Sequence, residues 1–109
     1  MNKVLGKITA VSFGKGGYQD AMFGFGFNFD FSEGWSVSDW KGTWAGKPSY
    51  SAKWTEKERD TMLCSYFLEI RDIMEAARVD NFKQLVGKPV ELTMNGNSLS
   101  SWRILAEVL

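Results

Sequence analysis

The sequence predicts an α+β fold: an antiparallel sheet of about five strands, in the order β-β-β-α-α-β-β, with one long amphipathic helix packed on one face. Three patterns lead to this prediction. From Met22 to Phe31, phenylalanine occupies every odd position, and the even positions from Gly24 onward are glycine or polar, which is the period of a strand. Residues 55–77 repeat apolar side chains at helical spacing, and Asn95-Gly96 has the composition of a hairpin turn.

The first three strands are predicted in the N-terminal half of the chain. Residues 3–13 are rich in β-branched and apolar side chains, and the glycine-rich segment 14–21 has the composition of a connection between strands. The phenylalanine ladder of residues 22–31 forms the second strand, and a short turn leads to a third strand at residues 35–40. A purely aromatic face must be covered, whereas Gly24 and Gly26 on the reverse face would allow a close backbone approach or a ligand groove.

The predicted helix begins at Thr55, since Thr55 and Glu58 fit a capping box. Its apolar positions lie within one arc and are expected to cover the phenylalanine ladder; they are Met62, Leu63, Tyr66, Phe67, Ile70, Ile73, Met74 and Ala77. Cys64 and Leu68 fall outside this arc, where the alternatives are isolated surface positions and a contact with a small partner or a second copy of the chain.

The C-terminal third predicts a short helix and a hairpin. Asp80 is expected to cap a helix over residues 81–86 that ends at Gly87. Residues 90–94 then alternate as a strand, and residues 99–109 return as the last strand.

The chain of 109 residues is interpreted as one domain, residues 1–109, because its length and its 44% hydrophobic and 24% charged content are typical of a globular domain. No apolar run approaches the roughly 20 residues of a membrane span, and the N-terminus lacks a signal pattern. We therefore expect a soluble, cytoplasmic protein without membrane contact.

The residue types present argue against catalysis. Histidine is absent, and Cys64 is the only cysteine, which removes the commonest general base, the commonest metal ligands and every Cys-His pair. We expect a protein that is not an enzyme and that binds no cofactor or metal. Thirteen basic and thirteen acidic residues give zero formal charge, which disfavours strong non-specific binding to nucleic acid.

The segment 41–54 is predicted to be a long loop, and long loops in small domains are often functional. It alternates aromatic and basic side chains, so we take it as the candidate partner-binding site, with Trp44, Lys47, Tyr50, Lys53, Trp54 and Lys41 as its residues. Aromatic rings beside lysines are used by single-strand nucleic-acid binders, and Lys15 would join such a site. In the alternative interpretation, the rings fold back over an edge of the core.

Two stretches resemble a small family of uncharacterised proteins encoded by bacteriophages and prophages. One is the C-terminal run LVGKPVELT of residues 85–93, continuing through Gly96-Asn97 to SWRIL of residues 101–105. The other is the loop GGYQDA of residues 16–21 with the aromatic strand after it and Trp35, Val37 and Trp40. The resemblance implies a small accessory protein in the cytoplasm of a bacterial host, a class in which inhibitors of host defence such as anti-CRISPR proteins are common.

Two functions are therefore expected from the sequence. The first is a non-catalytic protein-binding module that inhibits a host protein, such as a CRISPR-Cas or other defence component, by occluding its surface, because tryptophan and tyrosine anchor interfaces. The alternative is a single-stranded nucleic-acid-binding accessory protein that uses the aromatic and lysine loop.

Overall fold

The computed structural model describes residues 1–109, and its five-stranded antiparallel sheet with one long helix confirms the predicted fold class. The first three strands are β1 (Asn2–Gly16), β2 (Met22–Phe31) and β3 (Trp35–Trp44). The helix α1 (Glu56–Ala77) follows, and then come the strands β4 (Pro89–Asn95) and β5 (Ser98–Ile104). Three 3₁₀ helices complete the chain, at Tyr18–Asp20, Phe82–Leu85 and Ala106–Val108.

Strand β1 organises the sheet, whose order is β3-β2-β1-β4-β5. Its N-terminal part, residues 2–7, pairs with β4, and residues 6–16 pair with β2. The register between β1 and β2 shifts between Ile8 and Ala10, an irregularity of the kind that bends a strand. Because the fourth strand returns beside the first, the connectivity is a Greek key.

The two edge strands approach each other, so the sheet curls into a partly open barrel. The indole Nε1 of Trp102 on β5 donates a hydrogen bond of 2.9 Å to Oδ2 of Asp39 on β3. The seam between the edges is flanked by α1, where Lys41 Nζ of β3 lies 2.6 Å from Glu69 Oε1 of the helix.

The core confirms that the phenylalanine ladder points inward. Phe25, Phe27 and Phe29 are buried, with exposures of 2%, 3% and 0%. The helix covers only part of the ladder, through contacts such as that of Tyr66 with Phe25, whose ring centroids are 5.7 Å apart. The ring of Trp102 lies 4.8 Å from the rings of both Phe27 and Phe29, and Phe82 of the second 3₁₀ helix lies 5.6 Å from Phe27. A curled sheet covers part of its own inner face.

The helix contributes less to the core than its apolar arc predicts. Only Ile70 and Ala77 of α1 are buried, whereas Met62 is 43% exposed and Phe67 58% exposed. The predicted cap at Thr55 is confirmed, because its Oγ accepts a hydrogen bond of 3.1 Å from the Glu58 N–H. Cys64 and Leu68 are exposed, as their positions outside the arc predict.

Several predicted boundaries are wrong for local reasons. The first strand extends to Gly16, and the third strand continues to Trp44 because Gly42 pairs opposite Gly24, where neither residue has a side chain to separate the backbones. The last strand ends at Ile104, since the chain then turns into the third 3₁₀ helix.

The segment between α1 and β4 also differs from the prediction. The long helix ends at Ala77, and the segment predicted as a helix over residues 81–86 is the 3₁₀ helix Phe82–Leu85. Its N-cap residue is Asn81 instead of Asp80. The side chain of Gln84 explains this start, because its Oε1 accepts hydrogen bonds from the N–H groups of Asp80 and Asn81 at 2.8 and 3.0 Å.

The structure contains neither a helix that could span a membrane nor a group of metal-binding side chains. The helix α1 is too polar for a lipid bilayer, and no other helix is long enough to cross one. No group of three or more Cys, Asp or Glu side chains comes close enough together to bind a metal ion.

Candidate functional site

The strand β3 presents two tryptophans on the outer face of the barrel. Successive side chains of a strand point to opposite faces, so Trp40 and Trp44 share the face that Gly42 lies on, and Asp39 and Lys41 point to the inner side. Trp44 pairs opposite Met22, and Trp40 pairs opposite Gly26. The outer surface of β2 and β3 is therefore aromatic although the phenylalanines of β2 are turned inward.

Trp40 lies on a floor of glycines from three strands. A Cβ added at Gly42 would come within 2.2 Å of the Trp40 ring, one at Gly26 within 2.5 Å and one at Gly16 within 2.9 Å. These contacts involve both ends of the indole, so the ring lies flat against the sheet. A larger residue in place of any of the three glycines would push the ring away from the sheet. Trp40 keeps 38% of its surface exposed. The reverse face of the ladder thus holds a tryptophan in the space that its glycines leave.

Trp44 and Trp54 form a stacked pair at the end of this face. Their ring centroids are 5.8 Å apart and their planes differ by 15°. Trp44 is 41% exposed and Trp54 is partly buried, and neither belongs to the hydrophobic core cluster. The two rings are ten residues apart in sequence, and the loop between them brings them into contact. We call Trp40, Trp44 and Trp54 the outer aromatic face.

The loop that joins Trp44 to Trp54 is anchored at its start. The Ala45 N–H donates a hydrogen bond of 2.9 Å to the Ala21 carbonyl, which ties the loop to the β1–β2 connection. The guanidinium of Arg59, on the first turn of α1, donates to the Gly46 carbonyl, and its side chain is only 15% exposed. These bonds place the loop beside the end of β1.

An open depression of about 420 Å³ lies next to the stacked pair. Its lining includes Lys15, Asp20 and Lys47 together with Trp44 and Trp54. A second depression of about 260 Å³ lies on the other side of Trp40 and is lined by small and polar residues such as Ser12, Asn28 and Ser38. The two depressions border the outer aromatic face from opposite sides.

The connection between β1 and β2 borders the first depression and has an unusual backbone. Gln19 and Asp20 both have a φ of 54°, in the left-handed region that non-glycine residues rarely adopt. Tyr18 beside them is 82% exposed. Two successive strained residues and an exposed tyrosine are features that concentrate at binding sites.

The structure brings together three of the six predicted site residues. Trp44, Lys47 and Trp54 line the same depression. Tyr50 and Lys53 are exposed in the loop between the two tryptophans, and Tyr50 is fully exposed.

Lys41 lies elsewhere, on the inner side of β3. Its hydrogen bond with the Glu69 carboxylate raises the pKa of Lys41 above its usual value, and this effect outweighs the opposing effect of partial burial. The residue that the prediction of this site omitted is Trp40. Its even spacing from Gly42 and Trp44 was a usable signal that all three share one face of a strand.

A larger cleft, of about 450 Å³, lies at the seam between β3, β5 and α1. Its charged and polar side chains engage one another, since Lys41 bonds to Glu69 and Asp39 accepts from Trp102. In contrast to the outer aromatic face, its central ionisable groups already have partners, so we place the candidate site on the outer face.

Comparison with protein families, with curated proteins and with solved structures finds no match to this chain.

Proposed function

We propose that this protein binds single-stranded nucleic acid along the outer aromatic face. The observation that carries the proposal is the stacked pair Trp44 and Trp54 beside Trp40, next to the lysines 15 and 47. Every nucleobase has a flat face that stacks on an aromatic ring, and lysines contact the phosphates between bases. The site therefore suits an extended strand whose bases are unpaired, with little preference for sequence.

The connectivity of the barrel supports this proposal. A five-stranded, partly open Greek-key barrel is the architecture of the OB-fold, which binds oligonucleotides and oligosaccharides on the face of its second and third strands and on the loops beside them. Here β3 carries Trp40 and Trp44 of the outer aromatic face beside its partner strand β2, and the β1–β2 connection borders the face. Since a fold alone does not establish a function, the proposal depends on the tryptophans and lysines.

The charge of the site predicts how binding responds to salt. Lys15, Lys47 and Lys53 offer three phosphate contacts, so the logarithm of the affinity should fall against the logarithm of salt concentration with a slope of about −2. This is a shallow dependence for a nucleic-acid binder. It agrees with the zero formal charge of the chain, because stacking then supplies most of the affinity.

The experiment that tests the proposal is fluorescence anisotropy of a labelled 12-nucleotide dT oligomer. Trp44→Ala should weaken binding about tenfold or more, since one base stack contributes roughly 1–3 kcal/mol. Trp35→Ala is the matched control: Trp35 is 60% exposed and belongs to the same strand, but lies nine residues away, about 30 Å along it. Equal losses in both variants, or no binding at low salt, would end the proposal.

A second candidate function is a module that binds and occludes a host protein, such as a component of a defence system. The exposed Tyr50 and Trp44 favour it, because tyrosine and tryptophan anchor protein interfaces. A pull-down from nuclease-treated host lysate should then recover one stoichiometric partner. Trp44→Ala and Tyr50→Ala should lose that partner while both variants stay folded by circular dichroism.

A further inference from the structure

The helix α1 has an outer face that no part of the chain covers. Its inner side contacts the core through Ile70, Ile73 and Ala77. At 100° per residue Cys64 and Leu68 lie on the opposite side, and Phe67 lies at the border between that side and the apolar arc; all three are exposed. Phe67 is 58% exposed and Leu68 46% exposed. The ring of Phe13 lies 5.9 Å from that of Phe67 and widens the apolar surface beside the helix.

Charged residues flank this apolar centre in a self-complementary order. Lys57 and Asp60 precede it, and Arg71 and Glu75 follow it on the same face, all exposed to solvent. A second copy of the helix, laid antiparallel about a two-fold axis near residue 66, would set Lys57 opposite Glu75 and Asp60 opposite Arg71. Each pair would occur twice, because a two-fold contact is isologous.

The alternative orientation is electrostatically unfavourable. In a parallel pair each residue meets its own copy, so Lys57 would oppose Lys57 and Arg71 would oppose Arg71. The existing partners of these side chains do not prevent the antiparallel contact. Arg71 bonds to Asp72 at an exposed position, where solvent screening makes an exchange of partners easy. Asp60 bonds to the largely buried Arg59, but 64% of the Asp60 side chain stays exposed.

We propose that the protein forms a homodimer in which the outer faces of two α1 helices pack antiparallel. The contact runs from Lys57 to Glu75, about 27 Å of helix, with Cys64 and Leu68 at its centre and Phe67 at its edge. One helix pair buries an area at the low end for stable interfaces, so we expect a weak dimer. The proposal is independent of nucleic-acid binding, since the outer helix face and the outer aromatic face share no residue.

Sedimentation equilibrium of the full chain from 1 to 200 μM tests the apolar centre. The wild-type protein should dimerise, and Leu68→Glu should weaken the dimer about tenfold or more, because it buries a charge at the contact. Met62→Glu is the matched control, since Met62 is 43% exposed on the other side of the same helix and should have no effect. A wild-type protein that is monomeric throughout, or a dimer that only Met62→Glu disrupts, would overturn the proposal.

A charge exchange tests the orientation. Asp60→Arg and Arg71→Asp should each weaken the dimer several-fold, because each turns two attractive contacts into two repulsive ones. The double variant restores the attraction with the signs reversed and should dimerise like the wild type. If the double variant is weaker than both single variants, the antiparallel register is wrong. All four proteins are compared by circular dichroism, so that a folding defect is distinguished from a lost contact.

Discussion

At the scale of single residues, Trp40 is positioned by neighbouring glycines, which have no side chains. Three glycines on three adjacent strands leave a shallow recess in an otherwise pleated surface, and the indole occupies it with one side toward solvent. A ring held in this way loses little conformational freedom when a ligand stacks on it, which favours binding. The same contacts make the glycines sensitive to substitution.

Gly42→Ala should displace Trp40, because the added Cβ would lie 2.2 Å from its ring. Overpacking of this kind costs about 1–3 kcal/mol of unfolding free energy. Urea denaturation measures the loss, and oligonucleotide anisotropy should show weaker binding. Gly46→Ala is the control for stability, since a Cβ at Gly46 meets no atom within 4 Å and should leave the unfolding free energy unchanged. Equal behaviour of the two variants would contradict the glycine floor.

Glu107 has an unusually low pKa for an exposed carboxyl group. Two hydrogen bonds from the Arg103 guanidinium, at 3.0 and 2.9 Å, lower the pKa of Glu107 to about 2. Because this pKa lies below the value in the unfolded chain, the contact stabilises the fold above pH 4.5 and is lost as the pH falls toward 2. A carboxyl-detected NMR titration should show the low midpoint, and Arg103→Gln should move it up toward 4.5. An unchanged midpoint in that variant would show that another group lowers the pKa.

At the scale of secondary-structure elements, the barrel is held at its seam by side chains instead of a strand ladder. Strands β3 and β5 have no backbone pairing, and the bond from Trp102 to Asp39 joins them 63 residues apart in sequence. The same indole packs against Phe27 and Phe29, so one residue both closes the seam and covers the ladder.

Trp102→Phe should lower the unfolding free energy by about 1 kcal/mol or more, because the aromatic packing is kept in part but Asp39 loses its donor. Asp39→Asn keeps an acceptor for the indole N–H and should cost less. Urea denaturation of the two variants gives the comparison. A larger loss in Asp39→Asn would mean that its charge, and not the indole bond, stabilises the seam.

Elements with a local sequence signal were predictable, and those that depend on residues far apart in sequence were not. The alternation of residues 22–31 predicts both the strand and the inward direction of its phenylalanines, and Thr55 predicts the start of α1. The extension of β3 to Trp44 was missed because Gly42 resembles a breaker until Gly24 is known to lie opposite it. The role of Trp102 as a cover was missed for a related reason, since the curl of the sheet arises from pairings far apart in sequence.

The candidate site was predictable only in part, because its loop has a local sequence signal whereas the positions of Lys41 and Trp40 depend on strand geometry. The alternation of rings and lysines in residues 41–54 indicates the loop, and the structure brings Trp44 and Trp54 into contact there. Lys41 was grouped with them because it is near in sequence, yet the parity of a strand turns it toward Glu69. The position of Trp40 could not be predicted without the pairing of three strands, because its ring lies on glycines from all three.

At the scale of the whole molecule, the shape is more extended than its length requires. The radius of gyration is 15.4 Å and the principal extents are 48 × 32 × 21 Å, whereas a chain of about this length averages roughly 13 Å. Only 14 of 109 residues are buried. A thin, partly open barrel therefore leaves two surfaces exposed, the outer aromatic face on β3 and its following loop and the outer face of α1, and we assign a different partner to each.

The most direct test of nucleic-acid binding follows the five tryptophan indole N–H signals by NMR during titration with an eight-nucleotide dT oligomer. Trp40, Trp44 and Trp54 should shift, since bases stack on their rings, while Trp35 and Trp102 should stay in place because they lie at the far end of β3 and at the seam. Shifts confined to Trp35 and Trp102, or no shifts at saturating oligomer, would contradict the assignment of the outer aromatic face as a single-strand binding site.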